Sequence, residues 1–178
     1  MPPAAGDLPL EGPHWNFAVR FYEQPGVAEA CLMLQDRRGL DIVVMLFALF
    51  HFVTRRSALS VEMIGRLDAT VMSWRRDIVY PLRSVRRRLK AELGARAGDA
   101  ADRLRKQVAD AGVFAEQIEL ALLAVHEETA ARCTADASAQ VADVLRNVIG
   151  FYTKMDDLGP EESQALRVIV EAARQFDR

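Results

Sequence analysis

From Ile64 to Leu89 the apolar residues Ile64, Leu67, Val71, Trp74, Ile78, Leu82, Val85 and Leu89 recur at every third or fourth position without a miss. That spacing belongs to a helix burying one stripe, and a strand, whose side chains alternate faces, cannot present it to one side. A second pattern, Ala101, Leu104, Val108, Ala111, Ala115, Ile118, Leu122 and Val125, alternates threes and fours as a heptad seam does. Gly94 and Gly98 bracket the turn between them, so the two segments read as an antiparallel helical hairpin. Pro81 falls inside the first stripe and predicts a kink, or a split after Tyr80, because proline lacks the backbone donor and crowds the preceding turn.

The rest of the chain follows the same period, and no Asn-Gly or Asp-Gly turn separates alternating segments. A short helix is predicted from Trp15 to Gln24, with Trp15, Ala18, Val19 and Tyr22 on one face and Pro25-Gly26 ending it. The next starts at Val27, carries Val27, Ala30, Cys31 and Leu34 inward, and closes with Arg37 and Arg38 before Gly39, suited to a left-handed end. Asp41 is the expected N-cap of a third helix, whose apolar run from Ile42 to Phe50 continues with Phe52 and Val53. A bilayer span needs roughly 20 apolar residues, and this run stops at Thr54-Arg55-Arg56, so it reads as a helix buried on most sides. Ser57 or Ser60 caps the fourth helix; a sixth uses Val141, Val144, Leu145, Val148 and Ile149, and a seventh starts at Pro160 with Glu161 and Glu162. The expected fold is all-α, a bundle of about six to seven helices. Residues 1–13 read as a flexible leader and 14–178 as one domain, a size for which 178 residues suffice.

Composition removes several function classes. With 23 Lys and Arg against 25 Asp and Glu the net charge is −2, so no whole-molecule field draws the chain to nucleic acid or membrane. Cys31 and Cys133 form neither a disulfide framework nor a closed zinc site, and the N-terminus lacks the charged and apolar regions of a signal peptide; a cytoplasmic protein is expected. The one Glu-x-x-His spacing, Glu11 to His14, is interrupted by Gly12 and Pro13, so a di-iron site fails, and neither metal nor cofactor is expected. No glycine-rich phosphate loop, dinucleotide fingerprint or nucleophile elbow is present. Cys31 lies on an apolar stripe, where cysteine acts as a small hydrophobe. His51 reads as a core or pocket-lining histidine, and His126 as part of a polar face with Glu127 and Glu128.

One segment stands apart: Trp74 to Lys90 holds seven basic residues and a single acid. At about 100° per residue, Arg75, Arg76, Arg83, Arg86, Arg87 and Lys90 share one sector, with Arg88 outside it. Such a face is either a solvated surface paired with neighbouring acids or a contact surface for an anion, and arginine suits forked contacts to carboxylate or phosphate. The leading expectation is a non-catalytic helical protein that binds a protein partner or an anionic ligand through these residues, with a homodimer allowed. Nucleic acid is disfavoured because no helix-turn-helix pattern stands out. The alternative is a small helical enzyme with a polar pocket between the second, third and fourth helices, using Asp36, Asp41, His51 and Arg75. Convergence of those four groups favours the enzyme; an open, unpaired arginine face favours binding.

The order Trp15, Phe17, Tyr22, Pro25-Gly26-Val27, Cys31, Leu34-Gln35-Asp36, Gly39 and Asp41, followed by Trp74-Arg75, Pro81-Leu82-Arg83, Arg86, Arg87, Leu89 and Lys90, resembles an uncharacterised proteobacterial family of small helical proteins, a domain of unknown function. The likeness covers roughly residues 13 to 92. It implies a helical fold and a cytoplasmic setting, and supplies no reaction.

Overall fold

The computed structural model describes residues 8–90, 97–130, 140–153 and 158–176, and among these every regular element is a helix. In chain order they are α1 (Pro13–Tyr22), α2 (Val27–Arg38), α3 (Ile42–Arg55), α4 (Val61–Trp74), a π-helical turn (Arg75–Val79), α5 (Tyr80–Lys90), α6 (Asp99–Ala130), α7 (Val141–Tyr152) and α8 (Pro160–Phe176). The expected all-helical bundle is the observed one. Among the described residues no helix is long and apolar enough to cross a membrane.

Local chemistry sets the helix ends. Gly39 ends α2 at φ 64°, a conformation that costs a residue with a Cβ roughly 1–2 kcal/mol. Two residues later Asp41 caps α3, its Oδ1 accepting from the Val44 N–H at 2.9 Å. Ser60, rather than Ser57, caps α4 by accepting from the Met63 N–H at 3.2 Å. Helix α3 buries nine of its residues, Ile42 to Leu49 and Phe52, because α1, α4, α6 and α7 all pack on it.

Three faces differ from the sequence expectation. Helix α1 turns His14, Phe17, Ala18 and Phe21 inward and leaves Val19 exposed, because Phe17 and Phe21 stack at 5.6 Å and both meet Phe176 of α8. Trp74 is half-buried rather than fully buried, and Ile78 is exposed, for a reason given below. Along α6 the heptad seam is only partly the buried face: its Ala101 and Ala115 are buried and its Leu104 is exposed, whereas Gln117, Glu119, Leu120, Ala121 and Leu123, off the seam, are buried. Helix α6 packs against α1, α3, α4 and α5, so the burial it finds exceeds one stripe.

Helices α2 and α8 run antiparallel and are latched at one end. Arg38 makes a forked pair with Glu162, Nε to Oε1 at 2.6 Å and Nη2 to Oε2 at 2.6 Å. This joins the C-terminus of α2 to the N-terminus of α8, where both helix dipoles favour the charges present. Of the stretch read as a leader, Leu10 and Glu11 are tied to α6 by the Gln117 amide, whose Nε2 donates to the Leu10 carbonyl at 3.1 Å and to Glu11 Oε1 at 3.0 Å.

Candidate functional site

Proline 81 shapes the polar centre of the bundle without occupying it. It has no N–H to donate and its ring crowds the carbonyl four residues back, that of Asp77, so the helix accommodates it by widening one turn upstream. Over Arg75–Val79 the ladder becomes π-helical, with the Tyr80 N–H donating to the Arg75 carbonyl. The turn contains one residue more than an α turn. The buried stripe of Ile64, Leu67 and Val71 reaches Arg75 by an ordinary helical step of four, and the wider turn then brings Val79 rather than Ile78 onto it. An arginine is placed where the sequence pattern called for tryptophan.

Three carboxylates receive it. Arg75 Nε lies 2.7 Å from Asp41 Oδ2 and donates to Glu119 Oε1 at 2.9 Å, while Nη1 donates to Asp68 Oδ1 at 2.6 Å. The Tyr152 hydroxyl also donates to Asp68 Oδ1. Asp41, Asp68, Arg75 and Glu119 are each no more than 5% exposed. The cluster thus joins the caps and cores of α3, α4, α6 and α7 around the π turn.

One guanidinium cannot balance three buried negative charges, and the titrations move accordingly. Burial pushes the Asp41 carboxyl above its usual range against the pull of Arg75 and the Val44 N–H. Burial, then the Asp41 charge, pushes Glu119 up to about 8 against the pull of Arg75. At neutral pH Glu119 therefore holds a proton. Burial also raises Tyr152, which stays a phenol able to donate. Desolvation works against the Arg75 charge, and the attraction of Asp41 with the hydrogen bond to Asp68 outweighs it and holds the guanidinium protonated. Arg75 Nη2 and Glu119 Oε2 are buried without a hydrogen-bond partner among the described residues.

The pocket expected between the second, third and fourth helices is assembled only in part. Asp41 and Arg75 meet, but Asp36 is exposed on α2. His51 lies ten residues along α3 from Asp41, about 15 Å at 1.5 Å per residue. It has its own partners, Glu127 on Nδ1 and Ser57 on Nε2, each at 3.1 Å. The sequence reading missed Asp68, Glu119 and Tyr152. Asp68 was findable, since it occupies a stripe position between Ile64 and Val71 where a lone acid needs a buried partner.

The basic residues divide into three kinds. Arg75 is interior. Arg76 pairs with its neighbour Asp77 at 2.7 Å, and Arg83 reaches Glu116 of α6 at 2.8 Å. Arg86, Arg87 and Lys90 are exposed, and among the described residues no carboxylate lies within ion-pair distance of them. Helix α5 buries no side chain at all. Across from it α6 adds Arg103, Arg105 and Lys106, and the exposed Val85 and Leu104 lie on the same two helices.

A protein-family model described as a protein of unknown function, DUF2390, matches residues 13–123. The chain belongs to that family. The match extends beyond the stretch on which the sequence resemblance rests and takes in Asp41, Asp68, Arg75, Glu119 and the basic α5, while Tyr152, Glu127 and all of α7 and α8 lie outside it. No curated protein and no solved structure matches the chain.

Cys31 is fully buried and its thiol is pushed up to about 12 by desolvation, so it is no nucleophile at neutral pH. Cys133 lies outside the described residues. Among the described residues no group of three or more His, Cys, Asp or Glu side chains is arranged to hold a metal ion.

Proposed function

We propose that this DUF2390 protein is a helical binding protein that engages an acidic protein partner, or another anionic ligand, through Arg86, Arg87 and Lys90 on α5. The observation that carries the reading is the division just described: the inward cations have carboxylate partners, and these three have none among the described residues. Like charges at helical neighbour spacing, as at Arg86 and Lys90, destabilise a helix by about 0.2–0.5 kcal/mol per pair. No buried side chain on α5 offsets that cost, so an external anion is the compensation the face lacks. Exposed Val85 and Leu104 add apolar area beside the charges, the composition of a protein contact surface. The rest of the chain is net acidic, so a second copy is an admissible partner. The reading places the protein in the cytoplasm, where the free Cys31 thiol stays reduced.

The test is a photo-crosslinking side chain at Ser84 in the native cell, followed by mass spectrometry of the adducts, repeated with Arg86→Glu plus Arg87→Glu. A discrete adduct set that disappears on charge reversal and weakens as salt rises from about 0.05 to 0.5 M supports the face. The same adducts from both proteins at low salt mean that α5 is only solvated.

A further inference from the structure

At the far end of α3 the chain brings together a hydroxyl, an imidazole and a carboxylate in series. Arg56 ends the helix in the left-handed conformation at φ 55°, the one positive φ at a non-glycine residue among those described, and its N–H donates to the Phe52 carbonyl at 2.8 Å. This reversal folds Ser57 back against His51 of the preceding turn. Ser57 Oγ lies 3.1 Å from His51 Nε2, and Glu127 Oε1, from the C-terminal part of α6, lies 3.1 Å from Nδ1.

Partner chemistry fixes the protons. A carboxylate can only accept, so Nδ1 carries hydrogen toward Glu127, Nε2 is left with its lone pair, and the Ser57 hydroxyl donates to it. Burial, with the Arg55 charge adding to it, lowers the His51 pKa against the opposing pull of Glu127, so the imidazole is a free base at neutral pH. The Ser57 hydroxyl is not needed as a helix cap, because Ser60 performs that role for α4. Nucleophile, base and orienting acid therefore stand in the order and at the spacing that acyl-transfer chemistry requires.

We propose that Ser57, His51 and Glu127 form a serine relay that hydrolyses short-chain carboxylic esters. Ser57 is 3% exposed and the His51 and Glu127 side chains are 12% exposed, so the set lies just under the surface, where a compact acyl group needs less rearrangement of its neighbours than a long one. Ser57 Oγ bonds to the acyl carbon as its proton passes to His51 Nε2, and Glu127 steadies the imidazolium. The carbon–oxygen bond to the alcohol then breaks, and the alcohol leaves with that proton. Water attacks the acyl-Ser57, gives a proton to His51, and releases the carboxylic acid with Ser57 restored. This activity stands apart from the binding reading: Glu127 is eleven residues, about 16 Å, along α6 from Glu116, which holds Arg83 of α5.

The full chain is treated with diisopropyl fluorophosphate and the modified residue mapped by mass spectrometry, alongside p-nitrophenyl acetate hydrolysis. One adduct at Ser57 is expected, absent in Ser57→Ala and in His51→Gln. Glu127→Gln is expected to slow both labelling and hydrolysis by roughly 10²- to 10⁴-fold, since the amide disfavours the productive imidazole tautomer. Far-ultraviolet circular dichroism and a thermal melt confirm that each variant is folded. Failure of the wild type to label while a serine esterase control labels fully overturns the proposal. So does labelling whose rate is unchanged in folded Glu127→Gln.

Discussion

Arg75 is the side chain on which the interior depends. Its removal leaves Asp41, Asp68 and Glu119 buried with no cation among them, so Arg75→Met should cost about 3–5 kcal/mol in urea unfolding. Glu119 makes a separate, signed prediction. Its folded pKa of about 8 exceeds the ordinary 4.5, so across that interval the folded chain keeps a proton that the unfolded chain has released. The Glu119 contribution is therefore fully present below about 4.5 and is lost as pH rises toward about 8. His51 and His14 act in the opposite sense, both lowered by burial from 6.5, so their contributions are lost as pH falls below that value. The urea midpoint measured against pH should pass through a maximum, and Glu119→Gln should flatten its alkaline side; an unchanged alkaline slope would show that Glu119 is ionised throughout. Little of this cluster could be read from sequence. Asp41 was legible both as the cap of α3, which one of its oxygens serves, and as a pocket group beside Arg75, which the other oxygen meets; Asp68 and Glu119, the acids that share Arg75, come from elements far away in the chain.

At the scale of elements, the caps and lengths were legible because they depend on a few adjacent residues: Gly39, Asp41 and Ser60 perform the local chemistry their identities prescribe. The orientation of α5 was not legible, because the effect of Pro81 is felt one turn before it and shifts the phase of the stripe. The same substitution at two glycines separates local strain from propensity. Gly39→Ala should destabilise by about 1–2 kcal/mol, since the residue sits at φ 64°. Gly112→Ala should stabilise by about 0.5–1 kcal/mol, because it lies inside α6 and a new Cβ there meets nothing within 4 Å. The α2–α8 latch carries a pH signature. Arg38, then the Gly159 N–H, holds Glu162 down to about 2 from 4.5, so the contribution of the latch is present above 4.5 and lost as pH falls through about 2. Acid-tolerant proteolysis should find cleavage in 158–176 rising across that interval in the wild type, and already raised at pH 5 in Glu162→Gln.

For the molecule as a whole, the bundle was foreseeable and its asymmetry was not. Periodicity identifies helices but is silent on how many neighbours each one finds, and here α3 is covered on most sides while α5 is covered on one. The same asymmetry predicts that charge reversal on α5 is structurally mild: Arg86→Glu with Arg87→Glu should change the melting temperature by no more than about 2 °C, since surface changes usually fall within about 0.5 kcal/mol. A larger loss would mean that the two arginines hold the fold rather than a ligand.

Helix α6 runs 32 residues, about 48 Å, and apart from Ala101 its buried residues all lie in its second half. By its ladder it is one element; in time it should behave as two. Amide protons between Asp99 and Val113 can exchange with solvent deuterium whenever α5 lifts away, an opening that uncovers little apolar surface. Those between Ala115 and Leu123 must wait for the whole bundle to open. A deuterium uptake profile along α6 should therefore step from minutes to hours near Phe114, and a bound partner on α5 should move that step toward the N-terminus.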